Sequence, residues 1–254
     1  MLALITGASS GIGRDMAKEL AKRGYDLALV ARNEDGLNKV KEELIKTDSN
    51  IQVKILALDL TKQENCYLLH DEVKNVDVFI NNAGFGLFGR FQETNIEKEV
   101  NMIATNVTAY HILMKLYLQD MMQKGSGHIL NVASIAGFMP GPLMATYYAT
   151  KNYIVALTRA VQKEIKKEHA KVKVSLLCPG PVNTNFNKVA DVKFNLPGLS
   201  SDYVAKVAIT GMLKGKKIIV PGRLIKMARL LTEITPTVIV EEISYHMQTR
   251  KESK

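Results

Sequence analysis

The segment TGASSGIG at residues 6–13 follows the short apolar run LALIT at 2–6 and leads into a stretch with helical spacing. In such a turn Gly7 permits a tight bend, Gly11 lets the backbone approach a diphosphate, and Gly13 allows close packing of strand and helix. No Gly-Lys-Ser/Thr closes the loop, so it is not a P-loop. The backbone N–H groups at the helix start predict a phosphate-binding turn, with an ordinary strand-helix turn as the alternative.

Short apolar runs alternate with longer helical stretches along most of the chain. Continuous apolar runs are typical of parallel strands buried on both faces, and strict alternation places helices on both sides of the sheet. We therefore predict an α/β fold, a doubly wound Rossmann-type sandwich with a seven-stranded parallel sheet, as a single domain over 1–254. The predicted strands are 2–6, 26–31, 53–58, 77–80, 127–133, 172–178 and 217–220, and the predicted helices are 12–24, 34–47, 63–75, 96–124, 147–169 and 201–214.

The second predicted strand ends in LVARN, which bears on the choice of ligand. Dinucleotide-binding domains that take NAD place Asp or Glu here, on the ribose 2′-hydroxyl. Ala31 occupies that position, and Arg32 and Asn33 follow. A neutral residue removes repulsion of a 2′-phosphate, and a guanidinium can grip one, so the sequence predicts NADP(H). The alternative is an ordinary surface arginine.

The segment TYYATK at 146–151 places two tyrosines before a lysine. Hydride transfer to a carbonyl builds charge on its oxygen, which then needs a proton. A free tyrosine titrates near 10, and a nearby ammonium group lowers that value. Residues three and four apart share a helix face, so both Tyr147 and Tyr148 can act with Lys151 on geometric grounds.

From the first strand to about residue 222 the chain resembles the short-chain dehydrogenase/reductase family, in its branch of chains of this length. The resemblance rests on motifs in the expected order: TGASSGIG at 6–13, LDL at 58–60, NNAG at 81–84, ATNVTA at 104–109, NVAS at 131–134, YYATK at 147–151 and PGPVNT at 179–184.

This resemblance implies a catalytic tetrad of Asn106, Ser134, Tyr147 and Lys151. The family spacing Tyr-x-x-x-Lys selects Tyr147 as general acid/base and turns Tyr148 toward the core or a partner. Ser134 is implied to hydrogen-bond the substrate carbonyl. Asn106, at a local helix irregularity, is implied to hold a water that carries protons to Lys151, which also reaches the nicotinamide ribose.

The same resemblance implies a cofactor site spread over several strand ends. Asp59 and Leu60 are expected at the adenine, and Val182 and Thr184 near the carboxamide of the nicotinamide. The full set is Gly7, Ser9, Ser10, Gly11, Ile12, Gly13, Arg32, Asn33, Asp59, Leu60, Asn82, Ala83, Gly84, Tyr147, Lys151, Pro179, Gly180, Val182 and Thr184.

The expected substrate pocket is apolar, and its segments carry no evident partner for a carboxylate. We predict a hydrophobic ketone or aldehyde, a 3-oxoacyl chain or a steroid-like compound, under a loop at 185–200. Two alternatives are a non-catalytic NADPH-binding regulatory or scaffold protein, and a nucleotide-sugar epimerase, which needs a larger substrate domain. The candidate pocket residues are Phe85, Leu87, Ile135, Phe138, Met144 and Phe186.

The net charge of +9 is concentrated near the end of the chain, where 214–254 hold nine Lys/Arg against four Asp/Glu (9 − 4 = +5). No zinc-finger, RNP or basic-zipper pattern accompanies it, so we expect no nucleic-acid partner. The run RLIKMARLLTEI at 223–234 predicts a basic amphipathic helix. Packing on the protein body is the first interpretation; a substrate lid, a subunit contact or a membrane-surface contact are alternatives.

The remaining features are less specific. Cys66 and Cys178 lie in apolar surroundings outside any metal-spaced motif, which predicts buried thiols in a reducing compartment and no metal. Neither a secretory signal nor a membrane span is evident, so a cytoplasmic location is expected. The Met-rich stretch 102–122 predicts a long buried helix, and the family resemblance implies a homodimer or homotetramer.

Overall fold

The computed structural model of the chain describes residues 1–47, 50–168, 170–184, 186 and 198–252. Within these ranges strands and helices alternate as predicted. The strands are β1 (Leu2–Thr6), β2 (Asp26–Ala31), β3 (Val53–Ala57), β4 (Val78–Asn81), β5 (His128–Val132), β6 (Lys173–Leu177), β7 (Val182–Asn183), β8 (Leu199–Ser200) and β9 (Ile218–Ile219). The helices are α1 (Gly11–Ala21), α2 (Glu34–Thr47), α3 (Gln63–Glu72), α4 (Ile96–Ile103), α5 (Tyr110–Lys124), α6 (Ala145–Lys167), α7 (Ser201–Leu213), α8 (Arg223–Ile234) and α9 (Thr237–Glu252).

The main sheet has seven parallel strands in the order β3-β2-β1-β4-β5-β6-β9. This confirms the predicted doubly wound Rossmann-type sandwich. Because β1 lies between β2 and β4, the chain winds outward from β1 in both directions, and a crevice opens at the carboxyl end of that strand. The candidate site is expected at this crevice.

Two apolar layers hold the helices on the sheet, one on each face. Along β1, Ala3 and Ile5 face one layer, with Met16 of α1, while Leu4 faces the other, with Tyr117 of α5. The alternation follows from the two-residue period of a strand, and both faces are buried because helices cover both. The sheet is thereby a rigid platform for the loops at its carboxyl edge.

The predicted helix 96–124 is interrupted. Its first part is α4, its second is α5, and Ala104–Ala109 between them form a π-helix that contains Asn106. The irregularity expected at Asn106 is therefore present. Insertions of this kind are frequent at functional sites because they redirect side chains.

The loop predicted at 185–200 lies mostly outside the described residues. Phe186 and the segment 198–200 are described. Leu199–Ser200 pair in parallel with Val182–Asn183, a small second sheet that the sequence did not predict. Its two-residue strands are too short to show the alternation of apolar and polar residues by which a strand is predicted.

The basic segment at 223–234 forms α8, with the bounds predicted, and α9 follows after Pro236. Among the side chains of α9 that the structure describes, the buried ones are Val240, Ser244 and Gln248, at i, i+4 and i+8. Among the described residues, no helix combines the length and hydropathy that crossing a bilayer requires.

Candidate active site

The glycine loop joins β1 to α1 at the crevice. Gly7 and Gly11 have φ angles of +66° and +56°, which glycine adopts without strain. A Cβ on Gly13 would lie 2.3 Å from the carbonyl oxygen of Gly7, so only glycine fits this helix start. Ser10 precedes the helix in an extended conformation without a side-chain cap. The first-turn amides thus suit an anion.

The hydroxyl of Thr6 connects this loop to the end of β4. Its oxygen accepts the backbone N–H groups of Asn82 (2.9 Å) and Ala83 (3.0 Å). The side-chain amide of Asn82 donates back to the carbonyls of Thr6 (2.9 Å) and Gly7 (3.3 Å). The predicted cofactor residues at these two strand ends therefore form one rigid unit.

Residues after β2 line the neighbouring part of the crevice. Arg32 is exposed and forms no ion pair within the described ranges. The side-chain oxygen of Asn33 accepts the N–H of Gly36 at 3.1 Å, and a Cβ on Gly36 would lie 3.0 Å from the Cβ of Ser9. The structure therefore brings the start of α2 beside the glycine loop.

Asp59 and Leu60, the residues predicted at the adenine, follow the end of β3. One carboxylate oxygen of Asp59 accepts from the backbone N–H and the hydroxyl of Thr61, at 3.0 and 2.9 Å. Leu60 is buried in the apolar layer on the α5 side. The backbone here is held by local hydrogen bonds, which fixes the outer wall of the crevice.

The segment 179–184 closes the opposite side. A Cβ on Gly11 would lie 3.2 Å from the methyl group of Thr184, so this segment reaches the glycine loop. The carbonyl of Pro179 accepts the N–H of Ile135 at 2.9 Å. A Cβ on Gly180 would lie 2.6 Å from the side chain of Ile225 in α8. The segment is thus held between α1, the end of β5 and α8.

Tyr147 lies near the start of α6 and faces Ser134, which follows β5. Its hydroxyl lies beside the Ser134 side chain, and Ser134 Oγ accepts the N–H of Ala136 at 3.1 Å. The ring centroids of Tyr147 and Phe186 are 5.4 Å apart. The structure therefore brings the predicted serine and tyrosine together at the carboxyl edge of the sheet.

Tyr148 faces the other way. Its hydroxyl accepts a hydrogen bond from the side-chain amide of Gln248 at 2.8 Å and lies near Ser244, both in α9. Its ring packs so closely on Gly141 that a Cβ there would lie 2.2 Å from it. Tyr148 thus anchors the last helix and is turned away from Ser134.

Lys151 is buried one helical turn beyond Tyr147. Its Nζ donates to the carbonyl of Val132 at 3.1 Å and lies 5.8 Å from the centroid of the Tyr147 ring. Burial lowers the pKa of the Lys151 ammonium group from 10.5 to about 8. The lysine therefore titrates close to neutrality.

The side chain of Asn106 bridges two elements. Its oxygen accepts the N–H of Phe85 at 3.1 Å, and its amide donates to the Phe85 carbonyl at 2.9 Å and to Thr150 Oγ1 at 3.1 Å. Thr150 in turn donates to the carbonyl of Tyr147 at 2.7 Å. Asn106 of the π-helix thus fixes the loop after β4 relative to α6, the helix that carries Tyr147.

One electrostatic expectation requires correction. We expected Lys151 to lower the pKa of Tyr147, but burial raises that pKa, and the adjacent Ser134 side chain opposes the rise only in part. The physical reason is that both side chains are desolvated and that the ammonium group is directed to the Val132 carbonyl instead of the phenol.

Most of the predicted pocket residues gather around Tyr147 in one apolar cluster: Phe85, Leu87, Met144 and Phe186, together with Phe88, Met102, Ala136 and Tyr148. Two do not. Ile135 is half-buried outside this cluster, and Phe138 packs in another one with Cys178, beneath the guanidinium of Arg229 at 4.9 Å. The 3₁₀ turn Ile135–Phe138 contacts α8, which explains why Phe138 leaves the pocket.

The two cysteines are free and buried. Desolvation raises the pKa of Cys66 to about 11 and that of Cys178 to about 12, so both remain thiols near neutral pH. Across the described part of the chain, no three His, Cys, Asp or Glu side chains converge on a point that could hold a metal ion.

The sequence profile of the short chain dehydrogenase family matches residues 1–193. The chain belongs to this family. It is thus a short-chain oxidoreductase with a Rossmann-type nucleotide-binding fold.

Other short-chain oxidoreductases extend the comparison. An uncharacterized oxidoreductase of Staphylococcus epidermidis is 34% identical over 194 residues, which are 75% of this chain and 81% of that protein. A very-long-chain 3-oxoacyl-CoA reductase of Mycosarcoma maydis is 31% identical over 82% of this chain and 60% of its own length. The solved structure of a short-chain dehydrogenase from Sphingobium yanoikuyae in complex with NADPH superposes with a TM-score of 0.81 at 28% identity, covering 92% of this chain and 96% of that one.

Several residues of this short-chain oxidoreductase site were not predicted. Thr6 begins the glycine motif, and its position at a strand end before Gly7 was an available signal. Thr150 lies inside YYATK, yet its bond to Asn106 joins residues 44 apart, which no local pattern shows. A Cβ on Gly86 would lie 2.8 Å from Phe186 and 3.3 Å from Tyr147, so this glycine makes room at the pocket floor.

Proposed function

We propose that this chain is an NADP(H)-dependent oxidoreductase that interconverts a hydrophobic ketone or aldehyde, or a 3-oxoacyl group, with the corresponding alcohol. The observation that carries the proposal is the position of Tyr147 beside Ser134, with the tyrosine ring inside an apolar cluster, at the edge of the sheet that also holds the glycine loop. A protein that only binds a dinucleotide has no use for that pair.

The crevice fits a dinucleotide. The uncapped first turn of α1 and the close approach of Gly13 to Gly7 leave room for a diphosphate, and the exposed Arg32 suits a 2′-phosphate. The remaining residues proposed to hold it are Asp59, Leu60, Asn82, Ala83, Gly84 and the segment 179–184. When bound, the nicotinamide supplies or accepts the hydride. The NADPH complex of the related Sphingobium enzyme supports this choice.

Tyr147 and Ser134 are proposed to handle the substrate oxygen. In reduction, the Tyr147 hydroxyl donates a proton to the oxygen on which negative charge develops, and Ser134 donates a second hydrogen bond to it. In oxidation, the phenolate takes the proton from the alcohol. The raised pKa of Tyr147 favours the phenol, the form that reduction requires.

Lys151 and Asn106 are proposed to support that proton transfer without contacting the substrate oxygen. An ammonium group that titrates near 8 can return a proton to the tyrosine at neutral pH. Asn106 holds the backbone of Phe85, which lies at the pocket wall, and the water-holding role implied for it remains a proposal. Both residues are buried, so bulk solvent does not compete with them.

The substrate class follows from the apolar cluster. The ring of Tyr147 is surrounded by four apolar side chains that contribute no charged group: Phe85, Leu87, Met144 and Phe186. An apolar pocket with a few convergent polar groups is typical of a site for a small apolar ligand. The similarity to a 3-oxoacyl-CoA reductase supports an acyl chain among the candidates.

The function is tested by following NADPH and NADH oxidation with a panel of ketones, aldehydes and 3-oxoacyl thioesters. We expect turnover of at least one apolar carbonyl compound with NADPH. We expect none with oxo acids of similar size, which carry a charged carboxylate. Binding of NADPH without turnover of any member would favour the alternative, a non-catalytic binder.

Arg32 is expected to set the cofactor preference. Arg32→Glu should lower kcat/KM with NADPH by about 100-fold, because a charge-assisted bond to the 2′-phosphate is replaced by repulsion. With NADH the value should stay the same or rise. Arg159→Glu, an equal charge change at an exposed site on α6, is the control and should leave the ratio unchanged. A wild-type preference for NADH would refute the assignment.

Gly13 is expected to tolerate no side chain. Gly13→Ala places a methyl group 2.3 Å from the Gly7 carbonyl, which must move and take the phosphate loop with it. We expect about 1–3 kcal/mol of destabilisation and NADPH binding at least about tenfold weaker by fluorescence titration. Gly24→Ala is the control, since its Cβ meets no atom within 4 Å and only its φ of +74° is strained. Equal loss of NADPH binding in both variants would contradict the account.

Assembly, location and partners stay predictions: a homodimer or homotetramer, a cytoplasmic location and no nucleic-acid partner. The net charge of the chain and its motifs motivate them, as described above.

A further inference from the structure

Helix α8 presents its polar side to the protein. Ile225, Arg229 and Thr232, at i, i+4 and i+7, are its partly buried residues. Ile225 packs on Gly180, and the Arg229 guanidinium lies 4.9 Å above the ring of Phe138 while pairing with Glu233 at 2.6 Å. Ile225 and Arg229 therefore hold the helix on the body, while the Thr232 hydroxyl donates to the carbonyl of Arg229 within the helix.

The apolar side of α8 faces outward. Leu224 is 80% exposed, Met227 60%, Leu231 56% and Ile234 79%, and their spacing of 3, 4 and 3 places them on one face. We call these four residues the outer stripe. A contiguous apolar face of this kind marks an interaction surface, because scattered exposed side chains would not align.

Helix α9 repeats the arrangement. Its buried side includes Ser244 and Gln248, which hold Tyr148, whereas Ile239, Ile243 and Met247 are 51%, 54% and 51% exposed at i, i+4 and i+8. Both final helices thus turn apolar rows away from the body. Packing on the body alone, the first interpretation from the sequence, does not account for these rows.

Cations adjoin one edge of the outer stripe. Lys226 and Arg229 of α8 line a groove of about 490 Å³ together with Lys206, Lys214 and Lys216. Within the described residues, the four lysines form no ion pair. The two helices carry four carboxylates: Glu233, paired with Arg229, Glu242, paired with His246 at 3.1 Å, Glu241, and Glu252 at the end of α9.

We propose that the outer stripe and this lysine groove dock the protein on an anionic phospholipid surface. Apolar side chains enter the boundary between headgroups and acyl chains, and the lysines contact lipid phosphates. A second copy of the chain fits less well, because a two-fold contact joins identical patches and would bring the unpaired lysines of both copies to one interface. The proposal is independent of the reaction proposed above.

The test is co-sedimentation of the full chain with vesicles of phosphatidylcholine alone and of phosphatidylcholine with phosphatidylglycerol. We expect binding to the anionic vesicles at least tenfold tighter than to neutral ones, and weakened by added salt. Leu224→Glu/Leu231→Glu should reduce it at least tenfold, since both carboxylates enter the docking face. Ile45→Glu/Leu68→Glu, on α2 and α3 at 40% and 46% exposure, adds the same charge elsewhere and should bind close to wild type.

Light-scattering mass and NADPH binding of each variant accompany the assay and show that it is folded. Equal binding to both vesicle types, equal loss in the two double variants, or no sedimentation of wild type would overturn the proposal. A wild-type oligomer that dissociates in Leu224→Glu/Leu231→Glu, without vesicle binding, would assign the stripe to a second copy instead.

Discussion

Tyr147→Phe is expected to lower kcat/KM by about a thousandfold and to leave NADPH binding within a factor of about two. The substitution removes one hydroxyl and keeps the ring, which packs against Phe186 and Met144. Without the hydroxyl, the substrate oxygen loses its proposed proton donor. Steady-state rates and cofactor fluorescence measure the two effects separately.

The neighbouring residue supplies the matched control. Tyr148→Phe removes the same atom one position later, where the hydroxyl accepts a hydrogen bond from Gln248. We expect kcat/KM within about threefold of wild type and a loss of about 1 kcal/mol in the anchoring of α9, detectable as faster amide exchange there. Similar losses of turnover in the two variants would refute the assignment of the general acid/base.

Lys151→Met is expected to remove most activity while stabilising the fold. Burial lowers the pKa of Lys151 from 10.5 to about 8, which corresponds to roughly 3 kcal/mol of unfavourable desolvation when the group is charged. The lost hydrogen bond to Val132 offsets about 1 kcal/mol of that. We therefore expect the variant to be more stable by about 2 kcal/mol at pH 7, with kcat/KM reduced by about 10² or more.

The stability gain should depend on pH with a definite sign. Because the folded pKa lies below the unfolded value, the unfolded chain binds more protons between pH 8 and 10.5, and wild-type stability rises through that window. The gain in folding stability of Lys151→Met over wild type should therefore be largest below pH 8 and should shrink as the pH rises toward 10.5.

Urea unfolding at several pH values measures this difference. Lys163→Met, at an exposed position on the same helix, is the control and should show no such trend. An advantage of Lys151→Met that stayed constant from pH 7 to 10.5 would mean that burial does not perturb this lysine.

The sequence predicted much of the architecture because its signals are local. Continuous apolar runs located the strands of the main sheet, and the glycine spacing identified the turn at which Gly13 meets Gly7. Where a signal was too short, it failed. The two-residue strands β7 and β8 have no period to detect, and the 3₁₀ turn that carries Phe138 to α8 leaves no mark in the sequence.

The tyrosine pair illustrates the division within the site. Helical spacing allowed either ring to accompany Lys151, and only the family spacing separated them. In the structure, contacts with Ser134 on one side and with Gln248, 100 residues away, on the other direct the two hydroxyls in opposite directions. Such partners come from distant parts of the chain, so spacing along TYYATK cannot reveal them.

By itself, the sequence determined the sheet, the glycine turn and the residue types at the candidate site, because each depends on neighbours a few positions apart. Only the tertiary structure decided the pKa values of Tyr147 and Lys151 and the face of α8 that points outward. Burial raises the pKa of Tyr147 and lowers that of Lys151, and desolvation depends on everything packed around a group. Likewise, an amphipathic pattern defines two faces of a helix, but only the contact of the Arg229 guanidinium with the Phe138 ring shows which face points outward.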